Sequence, residues 1–499
     1  MQDGGVAATK KAKVDGRMAD GQPRGSLISE FKGLVQSMYI RKVPSYGNTI
    51  FYSLGFLLLV TLVVLVVSGA IMVIFGPFWW DSTSIGVFVR SIHFWAAEAF
   101  FVLLVWHLFV VFSTSAYKSK RLVWMLGSAI LLLAMLEAAF GLGLRGDFVS
   151  QWNGLSGADL WNGLGLGYWI NPLNYSALYG WHIALVPILL FGLIFAHYWL
   201  VKLRGISKPY RNDIPYTMVE ADHGKLYMRG GIAVAVILAF AVLFRAPYVA
   251  PMTIQGVATT NSSVLAATLV QELNQSSGTA TYLDTIDPYG FSTANVFVIV
   301  PYNAYVALNH TANGEAAFYN ESPEQRSANI DAAYAYFESG GEITLSPSQQ
   351  NPVILMVSAL VVMARSGAYD SVLLGEQGSQ FDQTYQLRLL SDTGLMDAEA
   401  TATGLQVDQY GMVKAGVGVW PIGTWWVAPY NLLEIAFPGG TDLQDGSLAL
   451  ALFIVFLMLP YIPYLNEIPD RLKLYKLFWN RFTIPEMRDE RERRRKRGG

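Results

Sequence analysis

Six apolar runs, at about 51–75, 87–113, 122–142, 182–201, 230–248 and 446–464, leave this chain of 499 residues few folds to choose from. Each is near the ~20 residues that an α-helix needs to cross the hydrocarbon core of a bilayer. Inside lipid every backbone N–H and C=O must find its partner within the segment, so runs of this kind become spanning helices. Hydrophobic residues make up 53% of the chain and charged residues 14%, which sets it apart from ordinary soluble domains. The expected fold class is an all-α polytopic membrane protein: a four-helix bundle, further transmembrane helices and a folded extracytoplasmic insert domain. A net charge of −2, with no basic stretch interleaved with aromatics, gives no sign of nucleic-acid binding. Cysteine is absent, which removes disulfides, thiolate metal sites and iron–sulfur clusters held by this chain.

Charge asymmetry orients the spans. Lys118, Lys120 and Arg121 follow the second run; Lys202, Arg204, Lys208 and Arg211 follow the fourth; a basic stretch, 490–497, closes the chain. The opposite connections are poor in Lys and Arg: 76–86 has none and 143–180 only Arg145. Both termini are therefore expected in the cytoplasm. The polar first 34 residues lack the apolar core of a signal peptide and read as a disordered cytoplasmic tail. From about 249 to 445 only Arg326, Arg365, Arg388 and Lys414 are basic, a stretch too long for a structureless loop and so expected to hold a folded outer domain. It carries sequons at Asn261, Asn274, Asn309 and Asn320, with another at Asn174, which makes the chain a candidate glycoprotein. Residues 353–364 are apolar but too short to span, and read as buried core.

Four of the six histidines lie inside the apolar runs, as two matched pairs: His93 and His107, fourteen apart, and His182 and His197, fifteen apart. An ionisable residue within a membrane helix is a functional-site hypothesis by default. Two helices that each offer two histidines can clamp two stacked haems, one ligand from each helix per iron. Gly55 and Gly69 on the first run are also fourteen apart, as are Gly127 and Gly141 on the third. Fourteen residues rise ~21 Å along a helix. Glycine clears room for close approach of a ligand to backbone, although small residues also serve simple helix packing, and a lone membrane histidine can merely bond a neighbouring carbonyl. It is the shared spacing of both sets that argues for haem. With alternating helix directions, Gly69, Gly141, His93 and His182 fall at the outer level, and Gly55, Gly127, His107 and His197 at the inner one. His93 is therefore paired with His182, and His107 with His197.

Over about 35–248 and 418–482 the chain resembles the cytochrome b subunit of quinol-oxidising cytochrome bc-type complexes. The resemblance rests on Val43–Gly55, Val89–His93, Lys118–Gly127 and His197–Pro209, with Pro187 five residues after His182. The sequon-rich insert points to an archaeal or otherwise divergent member. The family resemblance implies two low-spin haems, b-type or in a modified a-type form, each with two histidine ligands, and quinone sites near both. It also implies that Arg90 pairs with a haem propionate; Val110 stands where many members carry a second arginine. The family's Pro-Glu-Trp-Tyr quinol motif aligns with Gly423-Thr424-Trp425-Trp426, followed by Pro429, Tyr430 and Pro438, so Thr424 replaces the glutamate thought to take a proton from quinol. Glu434, in an apolar stretch, is the leading substitute acceptor, against a capping or interface role. Asp147 and Glu137 are weaker, and Glu137 has the alternative of bonding a neighbouring helix. Trp420, Trp425, Trp426 and Tyr430 form either a quinone slot or an interfacial aromatic belt. Asp222 and His223 stand where the family places protonatable ligands of the inner quinone, or are solvated; His310 reads as a surface residue.

The organisation that follows is a cytoplasmic tail (1–34), a di-haem bundle (35–212), a fifth transmembrane region (213–248), an extracytoplasmic insert (249–418), a quinol-site loop with the last transmembrane helix (419–482) and a basic cytoplasmic tail (483–499). The implied function is electron transfer from quinol across a plasma membrane, coupled to proton movement, with a Rieske iron–sulfur protein, other respiratory-complex subunits and a second copy of the chain as partners. An electron-transfer subunit of a terminal quinol oxidase assembly with a-type haems is an alternative, separated by haem type. A haem-free transporter or receptor is a further one, and leaves the shared spacings unexplained.

Overall fold

The computed structural model describes residues 40–206, 214–283, 291–309, 314–346, 348–376, 381–413, 424–438 and 442–497. The expected tail at 1–34, Lys208, Arg211, His310, Lys414, Trp420 and Gly423 lie outside the described residues.

Among the described residues, five helices are long and apolar enough to cross a membrane: Leu54–Ser82, Ser84–Ser113, Arg121–Gly143, Tyr175–Arg204 and His223–Leu243. Their ends follow local chemistry. The first turns sharply at Gly76, whose φ of 78° is open to glycine and is followed by Pro77. The second is capped by the Thr83 hydroxyl, which accepts from the Gly86 N–H. The fifth stops at Leu243, where Phe244 turns extended three residues before Pro247, so the run expected to 248 is helical only to 243. Large apolar side chains such as Val63, Ile74, Phe75, Ile188 and Val242 point outward along these helices, a surface suited to lipid and not to water.

The sixth expected span, 446–464, is shorter than the sequence pattern suggests. Its helix, Asp442–Leu457, has 16 residues and gives way to a 3₁₀ turn at Leu459–Tyr461. Pro460 has no N–H to continue the ladder and its ring crowds the preceding turn. At ~1.5 Å per residue this helix covers about 24 Å.

The first long helix packs against the second, the third against the fourth, and the fifth against the first two. Trp95 Nε1 donates to the Phe244 carbonyl at 2.7 Å and the Ala246 N–H to Ser91 Oγ at 3.0 Å, fastening the end of the fifth helix to the second. At the opposite end, Lys42–Pro44 pairs with Met218–Glu220 as a short antiparallel ladder. Glu486 accepts there from Ser45 Oγ and the Thr217 N–H, so the basic C-terminal helix Pro485–Arg497 begins docked.

The described residues between 254 and 405 form short helices around Pro352–Arg365, which is almost wholly buried and capped by Asn351. Phe148, Val149, Leu155 and Ala158, from the helix Phe148–Gly163 in the 143–180 connection, share this core. Arg388 pairs with Asp159 at 2.6 Å, and Gln151 and Met252 exchange two hydrogen bonds, so that connection and the 254–405 helices are one packed body. The sequon residue Asn174 has its side chain engaged, capping Ala177 and donating to Asp382. Within the core, Glu272 is fully buried; its Oε2 accepts from Ser277 Oγ at 2.6 Å, and Asp392 lies beside it, receiving the Thr279 N–H. Burial, together with the neighbouring Asp392 carboxylate, pushes the Glu272 carboxyl up to about 9.

Candidate functional site

Each paired glycine meets a histidine of the neighbouring helix. A Cβ added at Gly69 would lie 3.2 Å from His93 Cε1, at Gly141 2.7 Å from His182 Cε1, at Gly127 3.3 Å from His197 Cε1 and at Gly55 3.8 Å from His107 Cε1. The first helix thus presents glycine to both histidines of the second, and the third to both histidines of the fourth. The expected clearance for a macrocycle takes a specific form: the space each glycine leaves is filled by an imidazole edge.

The rings of His93 and His182 face each other with centroids 6.2 Å apart and planes inclined by 77°. Two ring nitrogens each about 2 Å from one shared ion, a typical metal–imidazole distance, put ring centres near that separation once the reach from nitrogen to ring centre is added on both sides. His93 Nδ1 is taken by Ser68 Oγ at 3.0 Å and the Leu65 carbonyl at 3.2 Å. His182 Nδ1 is taken by the Glu137 carbonyl at 3.0 Å and Glu137 Oε1 at 3.1 Å. Holding Nδ1 in this way leaves Nε2 to a metal and fixes the ring, the usual arrangement behind a ligating histidine. His107 and His197 lie within electrostatic reach of each other at the second level, and His197 Nδ1 leans toward the Val123 backbone without closing a hydrogen bond. The donor set therefore fits haem: two imidazoles per level, against glycine, in an apolar bundle.

A local distortion accounts for the unequal spacing. Trp181–Leu185 forms a π turn, in which the Val186 N–H bonds the Trp181 carbonyl five residues back. Pro187 follows; it offers no N–H to the Ile183 carbonyl and crowds it, which favours the wider turn. The extra residue is absorbed there, so fifteen residues from His182 to His197 keep the facing that fourteen give His93 and His107. Nothing in the hydropathy pattern signals this; Pro187 is the one visible cue.

Arg90 is occupied by protein. Its NH1 meets Asp81 Oδ1 at 2.7 Å, and its guanidinium lies over Tyr248, 5.1 Å from the ring centre. Its Nε is buried and has no hydrogen-bond partner among the described residues. Asp147 is buried, caps the helix Phe148–Gly163 and pairs with Arg145. Glu137 bonds across to His182, the helix-to-helix alternative. Asp222 caps the fifth helix through the Lys225 N–H at 3.0 Å, with His223 half-buried as its first residue. Thr424 is buried, Trp425, Trp426 and Tyr430 are half-buried, and Pro429 opens the helix Ala428–Ala436 that carries the half-buried Glu434. Trp426 stacks on Phe101, with ring centres 3.9 Å apart and planes 9° from parallel. Trp425 Nε1 donates at 3.0 Å to Glu98, a residue the motif reading passes over. Its signal was available: it is a carboxylate in a spanning helix, five residues after His93.

The arrangement fits a membrane helix bundle that could carry haem. Residues 98–257 match the family model described as cytochrome b (N-terminal)/b6/petB, a stretch that holds His107, His182, His197, Gly127 and Gly141 and begins just after His93. Cytochrome b6 of Heliobacterium mobile is 27% identical over 190 residues, covering 34% of this chain and 89% of that protein. The cytochrome bc1 complex cytochrome b subunit of Mycobacterium tuberculosis is 34% identical over 145 residues, 26% of each. A chain of a hyperthermophilic respiratory Complex III structure superposes with a TM-score of 0.36 at 18% identity, covering 71% of this chain and 98% of that one. Over residues 98–257 this chain is similar to the cytochrome b subunits of cytochrome bc-type complexes.

Proposed function

We propose that the chain holds two haems, one between His93 and His182 and one between His107 and His197, and carries electrons from quinol across the bilayer within a respiratory bc-like complex. The observation that carries this reading is the fourfold histidine–glycine contact at two levels of one bundle. When bound, the haems supply one-electron redox chemistry. The protein's part is to present paired imidazoles, which leave no coordination position open to oxygen, and to exclude water with the surrounding apolar helices. Ser68 and Glu137 orient the rings. Arg90 Nε is the donor left for a propionate. Thr424, Trp425, Trp426, Pro429, Tyr430 and Glu434 belong to the outer quinol segment, and Asp222 and His223 to the inner quinone end. With no cysteine in the chain, the iron–sulfur acceptor is a separate Rieske protein, and the complex is a dimer that moves protons as it works. The termini lie in the cytoplasm of a plasma-membrane protein, and the 249–418 insert, with any glycans, faces outward.

A pyridine haemochrome spectrum with haem-to-protein stoichiometry, followed through quinol addition, tests the proposal. Two b-type haems per chain that reduce with quinol are expected, and absence of haem sinks it. Thr424 in place of the motif's glutamate favours a second reading, an oxidase-assembly subunit, which the same spectrum reports as a-type haem.

A further inference from the structure

The quinol segment has threonine at the acid position of its motif, yet it delivers an indole to a carboxylate on another helix. Glu98, on the second long helix, is 5% exposed. Its Oε2 accepts from Trp425 Nε1 at 3.0 Å, while Oε1 is buried with no hydrogen-bond partner among the described residues. Buried carboxylate oxygens are nearly always satisfied, and carboxylates in spanning helices are costly, so this group calls for a role. Its setting supplies one. Phe101, one turn on, stacks flat on Trp426, and Leu62, Leu65 and Met135 belong to the same apolar cluster. One anchored oxygen and one buried, unengaged oxygen beside the stacked Phe101–Trp426 pair suit a planar hydroxylated ring: apolar contact for it and an acceptor for its hydroxyl.

We infer that Glu98 accepts the quinol proton, the task that Thr424 cannot perform. This rests on the quinol reading above. The step is acid–base only. The quinol O–H bond breaks, the proton bonds to Glu98 Oε1, and the bonding electron pair stays on the quinolate oxygen. Trp425 is a positioning residue: its N–H holds Oε2 so that Oε1 stays turned away from it.

The test uses the purified full complex with duroquinol as the probe. Stopped-flow haem reduction should slow by roughly 10²-fold or more in Glu98→Gln, the scale of a lost general base, with haem content unchanged and partial recovery in Glu98→Asp. The infrared difference spectrum on duroquinol addition should show a carboxyl C=O band that is missing from Glu98→Gln. A Glu98→Gln rate within about threefold of the parent, far short of a lost general base, or a band that persists, overturns the inference. So does a hundredfold loss in Glu434→Gln without one in Glu98→Gln. If the parent is not reduced by duroquinol at all, the quinol reading falls and takes this one with it. Should Glu98→Gln fail to assemble, Trp425→Phe decides: removal of the indole donor must move the carboxyl band, and an unmoved band overturns the assignment.

Discussion

At one level of the bundle both histidines are held from behind: His93 by Ser68 and the Leu65 carbonyl, His182 by the carbonyl and the carboxylate of Glu137. At the other, His107 and His197 share the glycine contacts, but among the described residues no carboxylate stands behind either ring. The same histidine–glycine pairing is thus built twice with different groups behind the rings. In the proposed di-haem arrangement, a carboxylate behind an imidazole increases its basicity and favours the higher-charged metal, so the Glu137 level would take the lower potential. The asymmetry lies in the residues behind the rings and not in the rings themselves.

The comparison breaks most decisively at the ligands. His182→Ala should reduce the haemochrome stoichiometry from two to one per chain while the His107–His197 level keeps its spectrum; loss of both haems together would show that the levels are not independent. The glycines come next. Gly141→Ala places a methyl 2.7 Å from His182 Cε1, where something must move, whereas at Gly55 the added methyl is 3.8 Å from His107 Cε1, an ordinary contact. Overpacking of this kind costs about 1–3 kcal/mol, so haem retention should fall clearly in Gly141→Ala and little in Gly55→Ala. Equal losses would remove the distinction.

Glu137→Gln keeps the backbone carbonyl contact and replaces the carboxyl beside His182 Nδ1 with an amide. Redox titration should then show one haem potential rising, by about 60 mV for each tenfold change in relative affinity for the two iron states, with the other unmoved. A downward shift would contradict the assigned role. Ser68→Ala should matter least, since His93 Nδ1 retains the Leu65 carbonyl. A neutral hydrogen bond is worth about 1 kcal/mol, and a potential shift larger than that of Glu137→Gln would reverse the ranking.

Much of this was legible in the residues. The apolar runs locate the five long helices of the described residues, with ends off by up to about seven residues, because lipid leaves a backbone no alternative. The spacing of histidine and glycine matches the structure's levels, because helix rise is fixed. What the pattern does not carry is side-chain contact between distant segments. Glu137 reads equally as a proton acceptor or a helix tie, and only the fold brings it to His182. Glu98 carries no motif, and its meeting with Trp425 spans 327 positions. The short last helix is misjudged for a local reason: Leu459 and the residues around it are apolar enough to extend the run, and Pro460 ends it.

The buried Glu272 beside Asp392 gives the 254–405 body an acid preference. A carboxyl whose folded value stands near 9, against an ordinary 4.5, holds its proton in the folded state over a range where the unfolded chain has released it. Folding then takes up protons, so stability is full below about pH 4.5 and drains away as pH rises toward 9. A melting series across that range should slope downward, and Glu272→Gln should flatten it. Such a body is best kept folded by an acidic medium.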